Sequence, residues 1–479
     1  MNKKFYITTT LPYVNAEPHL GFALEIVQAD VIARYHALSG DKVFFNFGTD
    51  EHGQKIYTAA TKAGLEPQKY VDSYAVKFEN LKSALNLSYN NFIRTTDKAH
   101  VKAAQEFWQK CDQAGDIYKK NYQIKYCVGC ELEKQDSELE KGKCLIHPNL
   151  ELEIREEENY FFKFSKYQNQ LLKLYQKNSD FVVPANRLKE ITNFVEAGLQ
   201  DFSISRLKSK MPWGVPVPGD DNHVMYVWFD ALVNYISAIG WPTDIQKFNK
   251  WWPAFQVAGK DNLRQQSAMW QAMLMSVGLP PSKQIIIHGF VTNEGEKMSK
   301  SLGNVIDPIK LASEYGTDAV RYYLLKYFNP FEDSDFSLDS FKEVYNADLA
   351  NGLGNLVSRV AQMVEKILDG KINTQDKDFN SARKPLVLKE INDLTEEYNY
   401  KLALEKIKEI IVLADRLIND EEPWKGGDNA EKVLSRGVGY ILAIAEVLKP
   451  FLPQTAGTIE KQFSAGKIKK GEPLFPRIN

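Results

Sequence analysis

Two lysines three apart, Lys297 and Lys300, sit in the run Lys297-Met298-Ser299-Lys300-Ser301, between Gly295 and Gly303. Two mobile ammonium groups in a short loop of small residues suit a polyphosphate, and the glycines leave such a loop free to close over a ligand. Alone, a K-x-x-K run usually describes a solvated face. About 280 residues earlier, Pro18-His19-Leu20-Gly21-Phe22 stands where a helical pattern begins. Unpaired N–H groups at a helix N-terminus attract phosphate, Gly21 lets a ligand approach closely, and His19 can donate to a phosphate oxygen. The alternative is a histidine that caps its own helix. Gly259-Lys260-Asp261 follows a strand-like segment; a carboxylate there can accept from sugar hydroxyls, although alone the triplet more often marks a simple turn.

The second constellation is a metal set. Cys127-x-x-Cys130, thirteen residues, then Cys144-x-x-His147 supplies four ligands at zinc-knuckle spacing, with no position left open, so the metal is expected to be structural Zn²⁺. A redox role for Cys127 and Cys130 is disfavoured by the second pair nearby and by the lack of a thioredoxin-like start. Cys111, beside Phe107 and Trp108 in a helical pattern, reads as a core thiol.

These residues need elements to position them. Phe5-Tyr6-Ile7-Thr8-Thr9 is strand-like, a loop with Pro12 and Pro18 follows, and Leu24, Val27, Val31, Tyr35 and Leu38 predict a helix over about 20–38. Gly40 ends it and Val43-Phe44-Phe45-Asn46-Phe47 is the next strand. Strand, turn, helix, strand opens an α/β fold with a doubly wound, parallel, Rossmann-like sheet, which binds ligands at the carboxyl ends of its strands. The pattern breaks at the cysteine cluster and resumes with strand-like segments at 224–228, 255–258 and 284–287. After Phe341 helical periodicity takes over, as in Leu349-Leu353-Leu356-Val360-Met363, and Pro423 separates two helices. The expected division is a catalytic domain in two halves, 1–116 and 210–295, split by a zinc-binding insertion, 117–209. A lysine-loop and linking region, 296–340, and an α-helical bundle, 341–479, complete it.

Composition narrows the class. At 479 residues, 44% apolar and 25% charged, the chain is globular and multi-domain. It has no run of about eighteen uncharged apolar residues, and its N-terminal residues show no signal-peptide pattern. Four cysteines, three of them beside a histidine, fit a reducing cytosol. A net charge of −2 gives no global attraction for nucleic acid, so any RNA surface must be local. Lys467-Ile468-Lys469-Lys470 reads as a solvated tail.

Taken together, these segments resemble the paired ATP-binding motifs of class I aminoacyl-tRNA synthetases. Thr10-Leu11-Pro12-Tyr13, Gly48-Thr49-Asp50-Glu51-His52-Gly53, Tyr226-Val227-Trp228-Phe229-Asp230-Ala231-Leu232 and His288-Gly289-Phe290, in this order, narrow the resemblance to methionyl-tRNA synthetase over nearly the whole chain. The resemblance implies a methionine–tRNA ligase with ATP, Mg²⁺, methionine and tRNA(Met) as its partners. It implies catalytic His19, Lys297 and Lys300, and an ATP site that adds Gly21, Gly259 and Asp261. Asp50 takes the methionine ammonium group, and Thr10, Leu11, Tyr13, Trp228, Ala231 and Tyr235 form the rest of the pocket, an aromatic wall suiting a polarizable thioether. It also implies one zinc on Cys127, Cys130, Cys144 and His147, and anticodon reading by Asn355, Arg359 and Trp424 through stacking and base-edge hydrogen bonds. Without the resemblance, Trp228 and Tyr235 read as core packing, and Asn355 and Arg359 as a polar pair on one helix face. Arg206 also matches a family motif. A cytoplasmic monomer is expected, because the helical bundle is not followed by the extra C-terminal module with which some relatives dimerise.

Three positions depart from the pattern. Phe22 stands in place of a second histidine, and Asn262 and Gln266 replace an aliphatic residue and a histidine near the methionine side chain. Phenylalanine cannot donate a hydrogen bond, which leaves a non-catalytic tRNA-binding paralogue as an alternative. Another class I synthetase is a second alternative, but the leucine, isoleucine and valine enzymes carry a large editing insertion, and about 90 residues is too short for a domain of that size. A cysteine-specific enzyme would place its metal at the amino-acid pocket.

Overall fold

Strand β1 (Lys4–Thr9) alternates its side chains between two cores, and the sheet is built outward from it. The computed structural model describes residues 3–478 apart from 131, 135–138, 299–303, 374–376, 384–386 and 428. On one side of β1 lie β2 (Lys42–Thr49) and then β3 (Asn91–Arg94); on the other lie Phe255–Gly259, Gln284–His288 and the short edge strand Val182–Val183. Every pairing is parallel. Ile7, Phe45, Val257 and Ile286 face one hydrophobic core, and Tyr6, Ala258, Ile285 and Ile287 face the other. Strand order reverses between β1 and Phe255–Gly259, which opens a crevice beyond their carboxyl ends.

Helix α1 (Leu20–Leu38) has the predicted bounds, yet it is not amphipathic: Leu20 and every residue from Ala23 to Ala33 is buried. A helix buried on all sides must pair any polar residue it carries. Asp30 accepts from Arg34, from the backbone and hydroxyl of Ser88, and from the fully buried guanidinium of Arg321 at 2.8 Å.

The segment 224–228, expected as a strand of the resumed sheet, is corrected. Asp220–Met225 pairs antiparallel with Ser205–Leu207 and Pro216–Val217 in a separate sheet, and Trp228 lies in the helix Val227–Leu232. A short apolar run carries too little periodicity to tell a strand from the start of a buried helix. The sheet's edge strand Val182–Val183 comes instead from inside the stretch read as an insertion.

That stretch begins with a long antiparallel ladder, from Ile117 opposite Phe162 to Tyr126 opposite Glu153. The ladder carries the cysteine cluster at its far end. The helical segment includes Asn355–Leu368, Tyr400–Glu421, Ala430–Leu448 and Pro453–Phe463. Its apolar faces join the same core as α1, so catalytic and helical parts share one hydrophobic interior on that side of the sheet. Among the described residues, no helix is long and apolar enough to cross a membrane.

Candidate active site

The loop after β1 and the loop after Phe255–Gly259 flank the crevice. His19 caps α1, with Nδ1 accepting from the Gly21 N–H at 3.1 Å. The next amide, that of Leu20, donates to the Ile306 carbonyl at 3.1 Å. Ile306 lies on the way out of the lysine segment, so the two stretches about 280 residues apart meet at the N-terminus of α1. The way in is a hairpin, Val291–Asn293 against Glu296–Lys297, turned by Glu294 and Gly295 at φ 54° and 77°. Two consecutive residues with positive φ give the turn that matches strand twist. Asp335 Oδ1 anchors it, accepting from the Thr292 hydroxyl at 2.6 Å and the Gly295 N–H at 2.8 Å. The Asn293 amide donates to the Asn304 carbonyl at 3.0 Å across the base of the loop. Of Lys297 the backbone alone is described, and Lys300 lies outside the described residues.

Glu25 ties the crevice walls together. One carboxylate oxygen accepts from the Thr10 N–H at 2.7 Å and the Thr10 hydroxyl at 2.5 Å; the other meets His288 Nε2 at 2.9 Å. His288 Nδ1 lies 2.7 Å from the Gly289 carbonyl, so both ring nitrogens face acceptors. Burial lowers its pKa, but Glu25 and the Gly289 carbonyl outweigh burial and raise it overall. Gly259 pairs with His288 in the sheet, and a Cβ on it would fall 2.8 Å from Asp261 Oδ1 and 3.6 Å from the His288 ring. Thr10, Gly259 and exposed Asp261 thus converge on one end of the sheet.

The amino-acid side of the crevice is built on a bridge between the first loop and the end of β2. Tyr13 pairs with Asp50, the Asp50 N–H donating to Pro12 at 3.0 Å and the Val14 N–H to Asp50 at 3.2 Å. Gly53 has φ 110°, and a Cβ there would lie 2.3 Å from the Tyr13 hydroxyl oxygen and 3.6 Å from Val227. Only glycine accommodates both demands. Trp228 is half-buried, and Ala231 and Tyr235 are buried one and two turns on. Burial raises the pKa of Tyr235; the hydrogen bond from Gln266 opposes the rise, and the Glu25 and Asp50 carboxylates add to it.

The departures at 262 and 266 acquire partners. Gln266 donates to the Tyr235 hydroxyl at 2.7 Å and accepts from Gln256 at 3.2 Å, so its amide orientation is fixed. It lies in a π-helical turn, Gln265–Met269, an irregularity frequent at functional sites. Asn262 donates to Asp261 at 3.2 Å.

Two polar centres escaped the residue-type reading. Asp230, wholly buried, accepts from His52 Nδ1 at 2.6 Å and His100 Nε2 at 2.8 Å. Burial alone would raise its pKa, but the two imidazoles hold it down to about 2. Glu51 receives Arg94 at 2.6 and 2.9 Å, and Trp213 Nε1 donates to the Glu51 carbonyl at 2.6 Å. Asp230, His52 and Glu51 stand inside conspicuous segments; His100 and Arg94 carry no signal at all.

Known proteins resemble this chain along its length. The family described as tRNA synthetases class I (M) matches residues 5–145 and 129–361. Methionine–tRNA ligases of Thermotoga maritima and Rickettsia bellii are each 41% identical, the matches covering 99% and 100% of this chain and 80% and 96% of theirs. The Mycobacterium tuberculosis methionyl-tRNA synthetase in complex with methionyl-adenylate superposes with a TM-score of 0.89 at 36% identity, covering 100% of this chain and 99% of the other. The chain belongs to the methionyl-tRNA synthetase family.

The four residues expected as metal ligands come together in this synthetase. Ligand atoms of Cys127, Cys130, Cys144 and His147 all lie within 4.8 Å of one another. Cys130 Sγ is 3.4 Å from Cys144 Sγ and 3.2 Å from His147 Nδ1, and Cys127 Sγ is 3.9 Å from His147 Nδ1. Metal–ligand bonds of about 2.0–2.3 Å give tetrahedral edges of this size, so three thiols and an imidazole fit zinc. Burial opposes ionisation of Cys144, but the His147 and Ile146 amides and the neighbouring thiols outweigh it and lower its pKa. A Cβ on Gly129 would lie 2.4 Å from the His147 ring, and the Gly129 carbonyl accepts from Lys55 Nζ at 2.7 Å, tying the knuckle to the helix Gln54–Lys62.

At the helical end the synthetase brings Arg359 and Trp424 together. The guanidinium carbon is 5.0 Å from the indole centroid, and Arg359 also meets Asn419 at 2.7 Å and Asp415 at 3.3 Å. Trp424 is 46% exposed, and Asn355 is exposed one helical turn from Arg359. Arg206 lies elsewhere, buried with its guanidinium 4.3 Å above the Tyr226 ring.

Proposed function

We propose that this chain is a methionine–tRNA ligase. It joins methionine to ATP, giving methionyl-adenylate and pyrophosphate, then passes the methionyl group to the terminal adenosine of tRNA(Met). The observation that carries the reading is the meeting of the lysine segment and the His19 helix terminus, through Leu20 and Ile306, at the sheet's switch point. In the first step a methionine carboxylate oxygen attacks the α-phosphorus and the bond to pyrophosphate breaks. In the second a ribose hydroxyl attacks the methionyl carbonyl and AMP leaves. Neither step needs a covalent bond to the protein, so orientation and charge stabilisation supply the rate.

His19, the Gly21 region, Lys297 and Lys300 hold the phosphates, with Mg²⁺ accompanying ATP. Gly259 leaves room for the nucleoside and Asp261 accepts from its ribose. Asp50 takes the methionine ammonium group, and Thr10, Leu11, Tyr13, Trp228, Ala231 and Tyr235 enclose the rest. Cys127, Cys130, Cys144 and His147 would hold one structural Zn²⁺. Asn355, Arg359 and Trp424 read the anticodon. The domain division is 1–116 with 210–295 for catalysis, 117–209 for the insertion, 296–340 for the lysine region and 341–479 for tRNA; the working form is a cytoplasmic monomer.

Methionine-dependent ATP–pyrophosphate exchange tests the reading, with leucine, isoleucine, valine and cysteine as controls. Exchange with methionine alone is expected. No exchange from folded, zinc-loaded protein that still binds tRNA would overturn it in favour of a binding paralogue.

A further inference from the structure

The imidazole of His19 is held on three sides. Its Nδ1 accepts from the Gly21 N–H at 3.1 Å, so a neutral ring carries its proton on Nε2. A Cβ on Gly21 would stand 2.9 Å from His19 Cε1, so the ring lies directly against that glycine. The third side is Phe22, whose ring lies 4.2 Å from the imidazole, centroid to centroid, at 31°. Phe22 is itself braced: it packs on the main core, and Phe78, fully buried in the helix Pro67–Glu79, meets it edge-on at 5.7 Å. A phenylalanine here is therefore not an empty substitution for a hydrogen-bond donor. It is the middle of a stack that runs from the core to the cap of α1.

We infer that Phe22 is a positioning residue for nucleotide activation: by stacking on His19 it keeps Nδ1 on the Gly21 amide and so presents Nε2–H to the phosphate seat at the N-terminus of α1. Without the stack the ring is free to rotate about its side-chain bonds, which loosens the cap and mixes the tautomers. An aromatic face is what position 22 requires; a second donor is not. The inference rests on the proposed function for its kinetic consequence, but the ring's tautomer and position do not depend on it.

Two measurements separate the two claims. Phe22→Leu keeps the apolar filling and removes the flat face, whereas Phe22→Tyr keeps the face. Loss of one stacked contact predicts that Phe22→Leu lowers kcat for methionine-dependent pyrophosphate exchange by up to about tenfold, with KM for methionine unchanged and Phe22→Tyr close to the unsubstituted protein. Phe78→Leu is expected to move kcat the same way by less. In parallel, ¹⁵N NMR of the His19 ring, assigned with His19→Gln, is expected to show the Nε2–H tautomer in the unsubstituted protein and in Phe22→Tyr, and a mixture in Phe22→Leu. Unchanged kcat and tautomer in a folded Phe22→Leu protein would overturn the inference, as would a loss equal in Leu and Tyr variants. If the unsubstituted protein shows no exchange, the ligase reading fails while the NMR comparison still decides the role of Phe22.

Discussion

Glu25 sits in a helix that is buried on every side, and it is retained there because three groups on two other segments donate to it. Its contact with His288 sets a pH dependence. The His288 pKa is raised, so the stabilisation is fully present below the ordinary imidazole value of about 6.5 and is lost as pH rises through the raised value. The melting temperature should fall more steeply above neutrality in the unsubstituted protein than in His288→Gln; equal slopes would remove this pair from the account. At the opposite end, Asp230 is depressed, so its contribution is present above the ordinary aspartate value of about 3.9 and disappears as pH falls toward about 2. Gln266→Leu leaves buried groups of Tyr235 and Gln256 without their partner and should cost about 1–3 kcal/mol of stability, read as a shift in denaturation midpoint. Removing one cation from developing pyrophosphate charge costs about a hundredfold or more, so Lys297→Gln should lower exchange kcat by that order with little change in methionine KM.

The lysine hairpin and the Cys/His knuckle are both elements too small to hold their shape alone. The hairpin is pinned through Asp335, whose single oxygen serves both the turn amide and Thr292. Asp335→Ala should lower kcat for exchange while leaving tRNA binding intact, since the residues proposed to read the anticodon lie in the helical segment beyond it. The knuckle has short strands and exposed Leu145, Ile146 and Leu150, with little core of its own. Metal binding worth about 10–16 kcal/mol in small zinc peptides would then supply most of its folding energy. Denatured protein should release one zinc per chain to a colorimetric chelator, and Cys144→Ala should raise protease sensitivity within 127–150 first. Release of no metal from freshly purified protein would contradict the assignment.

Across the molecule, Arg321 joins what the chain separates. Its guanidinium is wholly buried, paired with Asp30 of α1 and donating to the carbonyls of Leu85, Pro450 and Phe451. Helix α1, the helix Thr317–Lys326 that carries Arg321, and the helical segment therefore meet on one cation, inside the core they share. Breaking a buried pair on one side leaves an uncompensated charge, and Arg321→Met should cost about 3–5 kcal/mol in a single cooperative unfolding transition. Two separated transitions in calorimetry would show instead that the bundle unfolds independently.

Much was legible from the chain. The bounds of α1, the first two strands, the helical character beyond Phe341 and the metal set follow from periodicity and ligand spacing, which are local properties; the third strand, Asn91–Arg94, is too short to show either. The two segments proposed to hold ATP are short and contiguous, but each alone also describes a solvated face or a self-capping histidine; only their joint resemblance to a known family marks them. What the chain could not display was partnership over distance. That Asp230 receives both His52 and His100, that Glu25 bridges Thr10 to His288, and that the strand-like run at 224–228 leaves the central sheet depend on contacts between residues far apart in sequence. Periodicity reports which face of an element is buried. Only the tertiary structure decides which buried polar group meets which, because that choice is made by the desolvation cost of leaving any of them unpaired.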